Sequence, residues 1–554
     1  MEKIWLKNYA PDVPATIDPN EYQSLAELIS RVAERFGDLP GYTNMGQTYS
    51  YAKMDQLSRQ IAGFFQEKLK LKKGDRLAIM LPNTLQFIAV MLAALRVGIV
   101  VVNVNPLYTA HELEHQLNDS GSKAVIVLAN FANMLEKAKP TLRSVEYIIV
   151  TQLGDMFSGL KGLLTNWVVR RIKKMVPAYK LPESISFKRL LQLSKKTKLT
   201  PVTVDSEDIA FLQYTGGTTG LAKGAVLSHR NMVSNILQIK AVMNSQIEDG
   251  KEHIITALPL YHIFSLTVCC FCFMACGGEQ TLVTNPRDLP NFLKLLASRP
   301  FSFFVGVNSL FHALNQQAGF ANIDFTDLKM TIAGGMAVQE SVAHKWHEIT
   351  GKLITEGYGL TEASPVVSVN PVYVKQFNAS IGLPLPSTDI TIRDKLGQEQ
   401  PIGGEGELWV RGPQVMKGYW SLPRASHDVI TEDGWLKTGD VARIDEEGFL
   451  YLVDRIKDML IVSGFNVYPN EVENVLASYP GVSEVAVIGV PSERTGQAVK
   501  AIIVATEKID ETDLKAYCRQ RLTAYKTPKI IEFRESLPKS NVGKVLRREL
   551  HEPA

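Results

Sequence analysis

Between Tyr214 and Gly224 the chain reads YTGGTTGLAKG, with four glycines, three threonines and one lysine in eleven residues. Glycine loses more backbone freedom on ordering than any other residue, so such a cluster marks a turn, a linker or a close backbone approach to a partner. Thr215, Gly216, Gly217, Thr218, Thr219 and Gly220 offer successive N–H groups and hydroxyls, and Lys223 a counter-charge. That inventory suits phosphate oxygens. Upstream lies the extended apolar run Asp208–Gln213; downstream, Ser228 stands as an N-cap before apolar residues at helical spacing. The pattern predicts strand, loop, helix. It is not the kinase-type phosphate loop, because Lys223 follows Gly220 by three residues and is itself followed by glycine.

Three further clusters carry chemistry. ITEGYGLTEASP brings together Gly357, Tyr358, Thr361 and Glu362: close approach, an aromatic face for a base, a hydroxyl, and a carboxylate able to take magnesium. DGWLKTGD ends in Asp440, whose two oxygens can accept from both hydroxyls of a ribose. DRIKDMLIVSGFNVYPNEVE follows at a change of pattern. Each alone is more often an ordinary turn. HELEH, His111–His115, matches a zinc-protease pattern, but Thr109 and Glu112 also spell a capping box, and no third ligand stands at the family spacing. Cys269, Cys270, Cys272 and Cys276 sit in the apolar run IFSLTVCCFCFMAC without paired CxxC spacing. They read as small hydrophobes in a core helix or an apolar pocket wall, too short a run for a bilayer span.

The elements that must position these groups are legible from periodicity. From Tyr22 to about Val202, helical spacing alternates with β-branched runs such as RLAIML, IVVVNVNP and KAVIVLA; from Phe211 to about Val374, IITALP, FSFFVGV and KMTIAGG continue it. Parallel strands with crossover helices follow. Ile381 to Val453 changes to short alternating strands, and the tail beyond RIKD reads as a separate α+β unit. The expectation is an α/β chain in two domains: residues 1–455, with a β-rich subdomain at about 380–455, and a small α+β domain at 456–554. A chain of 554 residues exceeds one core.

Charges nearly cancel, 60 basic against 57 acidic, so no global field recruits nucleic acid. MEKIWLKNYAPDVP lacks the apolar core of a secretory signal, and a cytoplasmic protein is expected. In the segment 160–176, Leu160, Leu163, Leu164, Trp167, Val168, Ile172, Met175 and Val176 recur at helical spacing, while Lys161, Arg170, Arg171, Lys173 and Lys174 fall largely elsewhere. A basic amphipathic helix of this kind is a membrane-surface anchor or a core-facing helix, and the pattern leaves both open.

In this order, YTGGTTGLAKG, YGLTE, TGD, DRIKD and PKSNVGKVLRREL resemble five motifs of the adenylate-forming superfamily of acyl-CoA synthetases, luciferases and peptide-synthetase adenylation domains, from about Tyr22 to Leu550. DGWLKTGDVARIDEEGFLYLVDRIKD resembles the fatty acyl-CoA synthetase signature. WLKNYAPDVP, NVNPLYTAHELEHQLNDSG and RGPQVMKGYW are similar to bacterial long-chain fatty-acid–CoA ligases. The resemblance implies ATP, Mg2+ and coenzyme A, with a long-chain fatty acid as substrate; a medium-chain or aryl acyl-CoA ligase is the alternative. By resemblance, Lys544, Thr361, Glu362 and His262 are catalytic, and Glu362 holds the metal. Tyr214, the loop Thr215–Gly220 and Lys223 take the outer phosphates. Gly334, Gly335, Gly357 and Tyr358 take adenine, and Asp440 and Arg455 the ribose. Lys457 is the hinge about which the C-terminal domain turns, bringing Ser463, Gly464 and Phe465 to the pantetheine. The run Ile263–Cys276 lines the acyl tunnel, with Leu266 where some relatives carry a tryptophan gate. A peripheral position on the inner membrane face and a homodimer are further expectations. Rivals of other classes are a metalloprotease and a nucleotide-binding membrane adaptor without catalysis.

Overall fold

The computed structural model describes residues 2–215, 222–463, 465–492, 494–540 and 543–551. A seven-stranded sheet runs in the order Ile185–Ser186, Tyr147–Thr151, Ala124–Leu128, Arg76–Met80, Val100–Asn103, Ile209–Thr215, Lys223–Ser228. Its neighbours are parallel except the last pair. A nine-stranded sheet has parallel strands from Ile354–Gly359 through Met330–Ala333, Phe303–Gly306, His253–Thr256 and Glu279–Leu282 to Pro40–Asn44, with antiparallel strands at both ends. The helix Leu85–Arg96 touches strands of both sheets, and all twelve of its residues are buried. A helix apolar on every side needs that double cover.

The sheets do not divide the chain where the sequence pattern divides it. The hairpin Pro40–Ser50 joins the second sheet, where Thr43 Oγ1 donates to Glu279 Oε1 (2.7 Å) and Asn44 Nδ2 to the Leu282 carbonyl (2.8 Å). The strands Ile209–Thr215 and Lys223–Ser228 close the first sheet instead. Alternation identifies a strand but not its neighbour.

A second expectation is corrected beside the glycine-rich loop. Between loop and helix stands the strand Lys223–Ser228, antiparallel to Ile209–Thr215, with Lys223 opposite Thr215. Ser228 does cap the helix His229–Val242, in a capping box with Asn231. No helix can start before that cap, so the backbone of 223–228 is satisfied by the ladder. The described residues that follow the loop are therefore a strand antiparallel to the one before it, not a helix N-terminus.

Asp389–Arg393, Gly406–Arg411, Leu436–Ile444 and Leu450–Arg455 form an antiparallel four-stranded sheet, in the region expected to be β-rich. The C-terminal sheet (Leu460–Val462, Phe465–Val467, Val482–Ser492, Gly496–Ala505, Ile530–Phe533) packs with helices Pro469–Ala477 and Glu511–Arg521 on a core of its own around Val472, Leu476, Val487 and Leu514. The result is a large α/β N-terminal portion and a smaller α+β C-terminal one.

The basic amphipathic segment does not face the core. Helix Gly159–Trp167 buries only Gly162, while Leu160 is 82% exposed and Leu163, Leu164, Trp167, Ile172 and Met175 are exposed too. It is held by its small, polar edge: a Cβ on Gly162 would lie 2.5 Å from the Gly154 carbonyl oxygen, and Asn166 Oδ1 accepts from the Gly154 N–H at 2.8 Å. No helix among the described residues is long and apolar enough to cross a membrane.

Candidate active site

The strand Ile354–Gly359 carries Gly357 and Tyr358, and the single turn Thr361–Ala363 that follows carries Thr361 and Glu362. The Tyr358 hydroxyl donates to Asp440 Oδ2 at 2.5 Å. Arg455, the cross-strand partner of Asp440, places its Nε 3.0 Å from Oδ1. Burial first, then the Asp440 charge, push the Tyr358 hydroxyl well above its ordinary range, so it remains a donor. Asp440 is buried with both oxygens engaged, and each keeps a further lone pair for a ligand hydroxyl.

Glu362 lies on the neighbouring wall. The Tyr419 hydroxyl donates to Glu362 Oε1 at 2.7 Å, and Lys223 Nζ stands 5.2 Å from the centre of the Tyr419 ring. Tyr419 thus joins the glycine-rich hairpin to the Thr361–Ala363 turn. Sequence reading did not single it out; its only signal was the aromatic pair closing RGPQVMKGYW. Thr215 ends its strand opposite Lys223. Tyr214 turns elsewhere: its hydroxyl donates to Asp119 Oδ2 at 2.5 Å, and its ring lies under Gly224, where a Cβ would come within 3.1 Å. Gly216, Gly217, Thr218, Thr219 and Gly220 lie outside the described residues, as does Gly464.

Gly334 and Gly335 follow the strand Met330–Ala333. A Cβ on Gly334 would sit 2.9 Å from the Phe264 ring, and Gly335 has φ +80°, so bare backbone is required at both. His262 lies two residues before Phe264, whose N–H donates to His262 Nδ1 at 3.3 Å. The proton of the neutral ring is therefore on Nε2. Burial, then the Lys544 charge, lower His262 to about 4. Lys544 is itself lowered to about 7, chiefly by burial and next by the Arg455 charge, with Asp440 opposing. Lys544 thus feels the charges of Arg455 and Asp440, and its own charge reaches His262, across more than two hundred residues of sequence. The loop before Lys544 rests on the other portion of the chain: a Cβ on Gly543, which has φ +82°, would lie 2.2 Å from Ser309 Oγ.

Lys457 is exposed in the turn joining Leu450–Arg455 to Leu460–Val462. Its neighbour Asp458 is held 3.0 Å from Arg547 Nη1, and Arg547 Nη2 also reaches Glu473 (2.8 Å) and Asn470 (2.9 Å). Ser463 has φ +52° and donates its N–H to the Thr495 carbonyl at 2.9 Å. Phe465 is 56% exposed and stacks on Tyr525, ring centres 4.8 Å apart. Among the described residues, neither makes a hydrogen bond or ring contact with the groups around Lys544.

The remaining sequence signals find other employment. Glu112 closes a capping box with Thr109, and His115 Nε2 lies 3.0 Å from the Ala222 carbonyl oxygen. The four clustered cysteines are buried in and beside the wide-turned helix Ser265–Cys272, with the Cys269 thiol pushed up to about 12 by burial. No group of three or more His, Cys, Asp or Glu among the described residues is arranged to hold a metal ion.

A large α/β portion followed by a smaller α+β portion is shared with solved adenylate-forming enzymes over 95% of this chain. The sequence profile of AMP-binding enzymes matches residues 29–420 and that of their C-terminal domain residues 471–544, and the chain belongs to the AMP-binding enzyme family. It is 52% identical to a long-chain-fatty-acid–CoA ligase of Yersinia pestis, over 100% of this chain and 98% of that one. A ligase of the same name from Salmonella typhimurium is 51% identical over 100% and 99%. Among solved structures, ATP-bound MatB from Rhodopseudomonas palustris is 27% identical with a TM-score of 0.79, covering 95% of this chain and 98% of that one.

Proposed function

We propose that the protein is a long-chain fatty-acid–CoA ligase. The observation that carries this is the full-length identity to ligases of that name, and the reading is supported by Lys544 lying within reach of the charges of Arg455 and Asp440 and of His262. In the first step a carboxylate oxygen attacks the α-phosphorus of ATP, an O–P bond forms, and the bond to pyrophosphate breaks. In the second the coenzyme A sulfur attacks the acyl carbon, AMP leaves, and the thiol proton passes to solvent.

Two anions meet in the first step, so placed positive charge and hydrogen-bond donors dominate the need. Lys544 bridges carboxylate and α-phosphate, and Thr361 donates to that phosphate. Lys223 and the loop Thr215–Gly220 take the outer phosphates. Tyr358 faces adenine across the bare backbone of Gly334, Gly335 and Gly357, and Asp440 and Arg455 take the ribose. His262, neutral, stands near the acyl carboxylate with Nε2–H available. Glu362, a hard oxygen donor with one oxygen on Tyr419, would hold a magnesium ion, which would supply charge neutralisation. For the second step the C-terminal portion turns about Lys457 and carries Ser463–Phe465 to the pantetheine; motion about a few linker torsions suffices.

The run Ile263–Cys276 walls an apolar acyl tunnel, with Leu266 in place of an aromatic gate. Each methylene buried there contributes ~0.8 kcal/mol, nearly fourfold in binding, until the tunnel ends. Pyrophosphate release across acids from acetate to oleate, with and without coenzyme A, tests the reading. It peaks at long chains; a peak at aryl or medium-chain acids overturns it.

A membrane surface is the proposed partner of residues 160–176, on the cytoplasmic side. Support comes from exposed Leu160, Leu163, Leu164, Trp167 and Ile172 interleaved with Lys161, Arg170 and Arg171, the composition of an interfacial helix. Flotation with anionic liposomes is lost when Trp167, Ile172, Arg170 and Arg171 are replaced together; unchanged flotation contradicts the proposal.

A further inference from the structure

Tyr419 has no role of its own in the chemistry described so far, yet it meets two residues that do. Its hydroxyl lies 2.7 Å from Glu362 Oε1, and the Lys223 ammonium stands over its ring, 5.2 Å from the centre. A carboxylate only accepts, so the phenol donates. Among the described residues Glu362 Oε2 has no hydrogen-bond partner, and Lys223 and Glu362 form no ion pair with each other. One carboxylate oxygen is thus fixed and the other is left for a ligand.

The backbone accounts for the meeting. Residues 416–420 run along the outer edge of Lys223–Ser228: Val226 N–H donates to the Gly418 carbonyl (2.9 Å), Trp420 N–H to the Gly224 carbonyl (2.8 Å), and Tyr419 pairs antiparallel with Ala225. Side chains two apart on a strand share a face, and diagonal neighbours across a ladder are within reach of long side chains. Register therefore brings Lys223 over Tyr419. The same segment is tied to the turn Thr361–Ala363 and the residue after it: Met416 N–H donates to the Glu362 carbonyl at 2.8 Å, and Ser364 Oγ to the Gln414 carbonyl at 2.8 Å. Tyr419 is held on both sides before any ligand arrives.

We propose that Tyr419 is a positioning residue that orients Glu362 through its hydroxyl, for a metal ion, and Lys223 through its ring, for the phosphates of the same nucleotide. A carboxylate that binds a metal is aimed by the partner on its other oxygen, and losing that partner weakens metal binding. The negative face of an aromatic ring likewise holds an ammonium in place. Both side chains are flexible, so fixing them beforehand lowers the ordering left to be done on binding. The proposal rests on the adenylation reading above, in which Glu362 would hold magnesium and Lys223 takes outer phosphates. An acyl-adenylate has no outer phosphates, so acyl transfer from supplied adenylate is indifferent to Tyr419.

The test is equilibrium dialysis of ATP against the full-length protein without any acid, so that nothing reacts, in excess Mg2+ and again in EDTA. Acyl transfer from supplied acyl-adenylate to coenzyme A is read beside it. The parent binds ATP more tightly with Mg2+. Tyr419→Phe, which keeps the ring and removes only the hydroxyl, weakens binding in Mg2+ about tenfold, the scale of losing a partner behind a metal ligand, and keeps the parent affinity in EDTA. Tyr419→Leu, which also removes the ring beneath Lys223, weakens binding in EDTA as well, about threefold. Neither variant alters acyl transfer, and where Tyr419→Leu does not fold, Tyr419→Phe decides the question by itself. Parent affinity of Tyr419→Phe in Mg2+, an equal loss with and without the metal, or a fall in acyl transfer overturns the role of Tyr419 alone. A parent that binds ATP equally in Mg2+ and EDTA overturns it together with the reading of Glu362, and a parent that binds no ATP overturns the adenylation reading as well.

Discussion

Lys544 makes a prediction that pH can test. Burial and the Arg455 charge bring its ammonium from the ordinary 10.5 to about 7 in the ligand-free site, while Asp440 limits the fall and Lys457 and Asp458 also act on it. The protonated form is the one an anionic phosphate needs. With a free-protein pKa of about 7, the competent fraction is about nine-tenths at pH 6 and one-tenth at pH 8. The parameter that reports free-enzyme ionisation, kcat/KM for ATP, therefore declines roughly tenfold across that interval. Bound ATP favours the ammonium, so kcat declines less and nucleotide binding at pH 8 takes up a proton. The assay is the pyrophosphate burst without coenzyme A, which removes thiol ionisation. Lys544→Arg, charged at every pH, is the reference that removes titration of ATP itself. A parent-to-variant ratio that stays flat from pH 6 to 9 refutes the placement of Lys544 among these charges.

Two further outcomes follow from local geometry. Gly543→Ala puts a Cβ 2.2 Å from Ser309 Oγ at φ +82°, and seating the Lys544 loop then costs about 1–2 kcal/mol. Adenylate formation falls on the order of tenfold while transfer from supplied adenylate holds, and adding Ser309→Gly restores part; equal loss of both steps contradicts this. His229 is fully buried, its Nδ1 accepting from the Leu25 N–H at 3.1 Å, its Nε2 without a partner among the described residues, and burial lowers it to about 4 from 6.5. Between those values the unfolded chain binds a proton that the folded one does not, so stability present above pH 6.5 is lost as pH falls toward 4, by about 3 kcal/mol. Urea midpoints against pH show that loss, and His229→Gln flattens it; parallel curves for the two proteins rule it out.

Strands announced themselves through β-branched runs, and the capping box at Thr109 and the N-cap at Ser228 stood where the residues put them. What periodicity did not carry was partnership. Nothing in Pro40–Ser50 says that it pairs with Glu279–Leu282, and nothing in KGAVLS distinguishes a hairpin strand from the approach to a helix until its ladder with Ile209–Thr215 is seen. The stripe of Leu160, Leu164 and Trp167 was legible, but its direction was not, because a helical period is the same whether the apolar side meets a core or water. Tyr419 stands 57 residues from its partner Glu362 and follows no local pattern. The Tyr358 and Asp440 motifs were legible as candidate chemistry from their own residues and Lys544 only by resemblance, and that they meet is the work of the sheets rather than of spacing.

The most direct test of the whole account is rapid-quench analysis of Lys544→Ala with a long-chain fatty acid, reading the two half-reactions separately. Adenylate formation falls on the order of 10²–10³-fold, the scale of losing one charge-stabilising group in a preorganised site, while supplied acyl-adenylate is still converted to the thioester at close to the parent rate. Adenylate formation at the parent rate, or an equal loss of both steps, contradicts it.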